Sequence, residues 1–399
     1  PQGGLTGLAG GAHPLAGAVM LSLERLAGIE EMDPAASTMT VRAGTPLEVI
    51  QRAADEAGFL VPLDLGARGS CQIGGNLGTN AGGNRVIRYG MAREMVLGLE
   101  YVLPDGTLVT SLNKMIKNNA GYDLKQLFIG SEGTLGIITR AVLRMQPKPG
   151  CVNAALCGMQ SYADVVALLG AARRGLGPML SAFEVMWDDY WHEVTETVGV
   201  RAPLAGRHAL YVLIEAQGLS EAVDGPRFQS WIESQFEAGL IGDAAVSQSM
   251  GDVAAFWAMR DACSEFGSRL GPHVAFDVGL PVARMDDFAK ACKTRLAERV
   301  PNAFSVYYGH IGDGNLHLVA LSRGASVQPM ALISAAVYET VRDFDGTISA
   351  EHGIGLLKKS YLGHTRSPQE LALMRRLKAA MDPQGILNPG KVFDMEDKA

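Results

Sequence analysis

The sequence predicts an α+β chain of two domains, and three observations point there. First, from about residue 151 helical stretches (Tyr162–Ala172, Asp286–Arg299, Met330–Phe344) alternate with short strands (Ala209–Ala216, Val274–Leu280, Phe304–Gly309, Leu316–Leu321). That order fits an antiparallel sheet carrying helices. Second, Pro147-Lys148-Pro149-Gly150 breaks the chain where its character changes. Third, glycine makes up 48 of 399 residues, against a usual ~7%, and clusters in the first third. At ~150 residues per domain the length allows two to three domains. The boundaries expected are 1–149, 150–380 and a tail, 381–399, that returns to the first domain, because Gly385–Val392 repeats its turn-rich character.

The elements follow in order. The chain opens on a glycine loop, Gly3-Gly4-Leu5-Thr6-Gly7, with no strand before it, so we expect the protein to extend upstream. Thr45-Pro46-Leu47-Glu48 reads as a capped helix start. Leu47, Ile50, Ala54 and Ala57 give that helix an apolar face, and Gly58 ends it. Val96–Leu103 and Leu108–Thr110 flank the turn Pro104-Asp105-Gly106-Thr107, a hairpin. Thr134–Met145 is a strand rich in Ile, Val and Leu.

Composition narrows the function. Hydrophobic residues at 47% and charged residues at 19% describe a packed chain. The net charge is −7 and no Lys/Arg-rich run occurs, which argues against nucleic acid. No apolar run approaches the ~18 residues of a membrane span. The five cysteines are scattered and form no CxxC pair, so a reduced, cytoplasmic protein, at most peripheral to a membrane, is expected.

Glycine loops let backbone N–H groups approach a phosphate closely. Three occur here: Gly3–Gly7, Gly69–Gly83 and Gly130–Ile137. They could be tight turns alone. No Gly-Lys-Ser/Thr follows them, and no GxGxxG lies between a strand and a helix, which disfavours a P-loop or an NAD fold.

A second constellation lies at His310-Ile311-Gly312-Asp313-Gly314-Asn315-Leu316-His317. With Asp313-Gly314 as a two-residue turn, His310 pairs with His317 on one face of a hairpin. Two imidazoles so placed can close on a metal ion, and Glu351 could add a carboxylate, a set that leaves coordination positions open. A polar surface pair is the alternative. Arg260 could bind a carboxylate, with Ser264 one turn on, or could pair with Asp261 or Glu265 at the surface.

PQGGLTGLAGG, GSCQIGGNLGTNAGGNRVIRYG, NNAGYDLKQLFIGSEGTLGIITR and LNPGKVF resemble the FAD-binding domain of the vanillyl-alcohol-oxidase type. HxGDGNxH followed by EHGIG resembles its D-2-hydroxyacid dehydrogenase subgroup, which contains D-lactate and D-2-hydroxyglutarate dehydrogenases and the glycolate oxidase flavin subunit. The resemblance covers nearly the whole chain. It implies a two-part FAD-binding domain plus an antiparallel-sheet α+β substrate domain, or cap. It places Gly3, Gly4, Leu5, Thr6 and Gly7 on the FAD pyrophosphate. Gly69, Ser70, Gly74, Gly75, Gly78, Thr79 and Asn80 would follow the flavin and ribityl chain. Gly130, Glu132, Gly133, Gly136 and Ile137 would lie by the adenosine half, and Asn388 and Lys391 by the isoalloxazine. The flavin is expected to be non-covalent, His13 and Cys71 being the candidates for a link and both reading as structural. In this family a β-α-β unit precedes the first loop, so FAD retention is expected to need that upstream part.

The resemblance also implies a divalent metal, zinc first, on His310, His317 and Glu351, with His352 as catalytic base and Arg260 on the substrate carboxylate. The reaction implied is oxidation of a D-2-hydroxy acid by hydride transfer to flavin N5. Electrons would pass to a quinone, a cytochrome or an electron-transfer flavoprotein, and the chain would form a homodimer. Ala275 and Val319 stand where the hydroxyglutarate enzymes carry Lys and Asn, which favours a shorter or less polar acid. The rival readings are a transferase resembling alkylglycerone-phosphate synthase and a partner-dependent flavoprotein subunit.

Overall fold

In the computed structural model, which describes residues 1–395, the chain forms two compact units. One comprises Pro1–Lys148 and the chain from Glu351 onward; the other is Pro149–Ala350. The first junction falls at the proline-glycine break. The second falls at Glu351 rather than at 381, a difference no composition change announces. The helix Pro368–Met381 explains it. Its buried Lys378 donates to Thr134 O (2.7 Å) and Leu387 O (2.8 Å) and pairs with Asp382, fastening helix and tail to the third glycine loop.

The first unit is built on a five-stranded sheet, ordered Ile29–Asp33, Thr38–Arg42, Ile137–Arg144, Val96–Val102, Leu108–Ser111, with every pair antiparallel. The Asp105-Gly106 hairpin forms as expected, with Gly106 at φ +84°. The strand expected from Thr134 begins at Ile137, because Thr134 N still bonds Ser131 O (3.0 Å) in a turn. Helix Leu47–Glu56 buries Leu47, Ile50 and Ala54, and Gly58 (φ +80°) follows its end. Thr45 does not cap it: its hydroxyl donates to Arg42 O (2.6 Å), Pro46 takes the cap position, and Glu48 N bonds Arg68 O (3.0 Å).

The second unit holds a seven-stranded antiparallel sheet. Its order is Asp243–Val246, Cys151–Met159, Leu210–Gly218, Leu180–Trp187, Ala303–His310, Asn315–Ser322, Val274–Gly279. The three strands 151–159, 180–187 and 210–218 are buried almost throughout. Such strands lack the polar alternation that marks a half-exposed one. Helices Tyr162–Gly175, Met285–Arg299 and Met330–Asp343 fall where expected, while Glu221–Glu237 and Met250–Asp261 are additions. Thr347 makes only an isolated bridge to Gly279, not a strand.

The histidine hairpin differs in register. Tyr308, not His310, lies opposite His317, and Ile311–Asp313 forms a helical turn at the tip. The slip is two residues, and side chains alternate with period two, so His310 stays on the His317 face as its diagonal neighbour. No described helix is long and apolar enough to cross a membrane.

Candidate active site

The three glycine loops of the first unit wall one cavity. Gly3, Gly4, Leu5, Thr6 and Gly7 line it, as do Gly74, Gly75, Gly78 and Thr79 from the second loop. The third loop contributes Glu132, Gly133, Gly136 and Ile137, the tail contributes Asn388, and His352 is on the wall. The glycines serve two ends. At Gly4 an added Cβ would lie 1.9 Å from Ser70 O, so glycine lets the first loop seat on the second. At Gly7, Gly75 and Gly78 an added Cβ would meet nothing within 4 Å, so these leave room for a ligand.

Five expected residues are not on this wall. Ser70 meets Gly4 from behind, and Gly69 lies beside Glu48. Asn80 turns the chain at φ +50° and its Oδ1 accepts from Arg93 N (2.9 Å). Gly130 (φ +83°) faces the Arg93 guanidinium. Lys391 is buried on a separate, smaller cavity that it shares with Lys378. Gln72 and Asn76 were not expected and line the main cavity. Their side-chain oxygens are buried without a hydrogen-bond partner. An unpaired buried acceptor costs ~1–3 kcal/mol, and a flavin nucleotide, with its ribityl hydroxyls and ring N–H, carries the donors they lack. The residues present therefore fit FAD. Cys71 is also on this wall, and burial pushes its thiol above the ordinary value, toward the unreactive protonated form.

Glu132 does something the sequence did not suggest. From a left-handed backbone (φ +53°) its carboxylate accepts from Ile354 N (2.7 Å) and Gly355 N (2.8 Å). Burial pushes its carboxyl above the usual range in spite of those two bonds. Gly353 and Gly355 must be glycine here: both have positive φ, and a Cβ on Gly355 would lie 2.1 Å from Ala9 O. Glu132 thus clamps the segment that presents His352. Asn388 Nδ2 donates to Glu132 O (2.7 Å) and Gly11 O (3.0 Å), which ties tail, first loop and third loop together.

In the second unit His310 and His317 meet at 5.0 Å between ring centroids, with a ring nitrogen of each within 4.8 Å of the other's. Arg260 is buried beside them, not on the surface. Helix Met250–Asp261 starts at Ser249, whose side chain accepts from Asp252 N (3.2 Å), and turns Val253, Phe256, Met259 and Arg260 inward. Arg260 Nε donates to Glu184 Oε2 (2.8 Å), and its NH2 lies 3.1 Å from His310 Nε2. Glu184 Oε1 is 2.7 Å from His310 Nδ1. Burial alone would raise the Glu184 carboxyl, but His310 and Arg260 hold it well below the usual carboxylate range. Ser264 is not part of this group. The chain tightens to a 3₁₀ turn over Ala262–Glu265, which rotates Ser264 outward, and its hydroxyl donates to Asp261 O (2.9 Å).

In the second unit, Glu184 and Asp277 are the residues that sequence reasoning missed. Asp277 lies directly across the sheet from His317, and its Oδ2 accepts from Ala350 N (2.9 Å) and Ser349 Oγ (3.3 Å). That fixes Ser349 and Ala350, the two residues that precede Glu351. Glu351 itself packs over Gly82, where a Cβ would lie 2.7 Å from Glu351 Oε1.

Comparison with known proteins bears on the same two regions. Residues 1–111 match the family described as FAD binding domain, and residues 148–392 match FAD linked oxidases, C-terminal domain. The class is therefore a two-domain flavoprotein oxidoreductase. A mitochondrial D-2-hydroxyglutarate dehydrogenase of Bos taurus is 41% identical over 98% of this chain and 72% of its own length. A D-2-hydroxyglutarate dehydrogenase of Xanthomonas citri is 42% identical over 100% of this chain and 84% of its own. Among solved structures, an alkyldihydroxyacetonephosphate synthase superposes with a TM-score of 0.72 at 17% identity, covering 98% of this chain and 71% of that one; this likeness concerns the fold alone. The chain belongs to the FAD-linked oxidase family, and it is an FAD-dependent oxidoreductase of the D-2-hydroxyacid dehydrogenase group.

Proposed function

We propose that the protein oxidises a D-2-hydroxy acid to the 2-oxo acid, with Gly3–Gly7, Gly74–Thr79 and the Glu132–Ile137 loop holding FAD, and with His310, His317 and Glu351 holding a divalent metal, zinc first. The single observation that carries the reading is His352 on the wall of the glycine-lined cavity. When bound, FAD supplies the acceptor for hydride at N5, and the metal supplies a Lewis acid for the substrate hydroxyl.

The chain's own groups do the rest. Glu132 fixes the backbone beyond His352, so the imidazole is presented at the cavity, where it can take the hydroxyl proton. Arg260 gives Nε to Glu184, so a substrate carboxylate would meet its NH1/NH2 edge. Gln72 and Asn76 would accept from the flavin through their unpaired side-chain oxygens. Asp277 holds Ala350 N at the end of the second unit.

Val319 is buried among apolar side chains and pairs across the sheet with Ala275. Neither side chain carries a charge or a hydrogen-bonding group for a second carboxylate, which favours a short or apolar 2-hydroxy acid. Hydroxyglutarate, the substrate in the relatives' names, is the second reading. Electrons then pass to a quinone, cytochrome or flavoprotein acceptor, since no NAD fingerprint is present. The test is turnover of D-lactate against D-2-hydroxyglutarate with an artificial acceptor. A higher kcat/KM for lactate supports the first reading, and a higher value for hydroxyglutarate supports the second. Turnover of neither would count against both readings.

A further inference from the structure

We infer that Glu184 is the positioning residue of this site: its one carboxylate fixes the tautomer of His310 and the orientation of Arg260 together. The inference rests on the proposed role of His310 as a metal ligand. Glu184 is fully buried in the strand Leu180–Trp187, directly across the ladder from His310. Oε1 meets His310 Nδ1 at 2.7 Å, and Oε2 meets Arg260 Nε at 2.8 Å. A carboxylate only accepts and a guanidinium only donates. Nδ1 must therefore carry the imidazole proton. Nε2 must then be the acceptor, which is the role its 3.1 Å approach to Arg260 NH2 requires. A doubly protonated ring would set two donors face to face there. The three side chains thus form a closed ring, and Nε2, unprotonated, carries the one lone pair that a metal ion would take in place of the Arg260 hydrogen bond. Metal-ligating histidines are commonly held this way through their second nitrogen.

Glutamine shows why a carboxylate is needed. Glu184→Gln keeps the shape but has one acceptor and one donor end. Arg260 Nε–H, always a donor, takes the amide oxygen. The amide NH₂ then faces His310 Nδ1, which must become an acceptor, and the ring proton moves to Nε2. The lone pair is lost from the metal side, and Nε2–H now faces the Arg260 NH2 donor, which must draw back.

The experiment uses FAD-loaded, metal-stripped full protein in three forms: wild type, Glu184→Gln and Glu215→Gln. Glu215 is the control, a fully buried strand carboxylate that accepts from Ser181 Oγ (2.7 Å) and Trp257 Nε1 (2.9 Å). Long-range ¹H–¹⁵N correlations identify which nitrogen of His310 is protonated, and zinc is titrated into each protein. The expected result is Nδ1–H in wild type and Glu215→Gln, and Nε2–H in Glu184→Gln with zinc bound roughly 10- to 100-fold more weakly. An Nε2–H wild type, or a Glu184→Gln protein with unchanged tautomer and zinc affinity, overturns the inference. Should Glu184→Gln fail to fold, Glu184→Asp takes its place. Its carboxylate is too short to span both partners, so a wild-type tautomer and zinc affinity there overturn the inference too. If the tautomers change as expected but wild type binds no zinc, the metal reading fails and the positioning role stands.

Discussion

Gly75 and Gly74 are neighbours in the short helix Ile73–Gly78, and the structure predicts opposite consequences for a side chain at each. At Gly75 a Cβ meets nothing within 4 Å, and the backbone there is ordinary right-handed helix. Gly75→Ala should therefore fold at least as well as wild type, gaining up to ~1 kcal/mol of helix propensity. Gly75→Leu should also fold, but it fills space assigned to the flavin. Overpacking costs ~1–3 kcal/mol, which here falls on the ligand and weakens FAD roughly 5- to 150-fold. At Gly74 the added Cβ lies 2.7 Å from Ala43 Cβ and 3.0 Å from Ala43 O. Gly74→Ala should lower stability of the flavin-free protein itself by ~1–3 kcal/mol. Thermal unfolding without FAD, and fluorescence titration with it, separate the two effects. A Gly75→Leu protein that binds FAD like wild type would mean the flavin does not follow this wall.

Three further outcomes are expected. Arg260→Ala should lower kcat/KM for a 2-hydroxy acid roughly 10- to 150-fold, the value of a charged hydrogen bond, and spare a neutral alcohol analogue; steady-state kinetics on both compounds checks it. Replacing His310, His317 or Glu351 by Ala should release metal with FAD retained, whereas His352→Ala should keep both and lose ~10²–10⁴ in kcat, as metal analysis and flavin absorbance on the same variants would read. Glu100 accepts from Arg140, Thr139 and Thr110, and the Arg140 bond leads in holding its carboxyl down at about 2 against an ordinary 4.5. A carboxyl lowered by folding stabilises above its unfolded value and loses that contribution as pH falls toward the folded one. Melting temperature should therefore fall as pH drops from 4.5 toward 2, and Glu100→Gln should flatten that limb.

The sequence was most legible where chemistry and local geometry coincide. Asp105-Gly106 marks its hairpin unaided, and the strands and helices around His310 and His317 lie within a residue or two of their expected bounds. The glycines that approach a ligand could be told from ordinary ones only by their clustering. Gly69, Ser70 and Gly130 lie off the cavity wall although they sit in the same clusters, so clustering alone does not sort a loop's residues. Glu184 was invisible because its neighbours Ala182, Phe183 and Val185 read as plain core, and its partners come from residues 260 and 310. The two-residue slip of the histidine hairpin left the site intact because a period of two preserves the face. Glu132 shows the opposite case: it lines the cavity as expected and also accepts from Ile354 N and Gly355 N, contacts that no local pattern signals.

The central claim is that this protein passes hydride from a D-2-hydroxy acid to its flavin. Anaerobic mixing of the FAD- and zinc-loaded full protein with D-lactate, D-2-hydroxyglutarate and their L-enantiomers tests it most directly, with the oxidised-flavin absorption band as readout. The band should bleach with at least one D-acid, yield one 2-oxo acid per flavin, bleach far more slowly in His352→Ala, and persist with the L-acids. A wild-type protein that holds FAD and zinc, yet keeps its flavin oxidised with every D-2-hydroxy acid, would contradict the account.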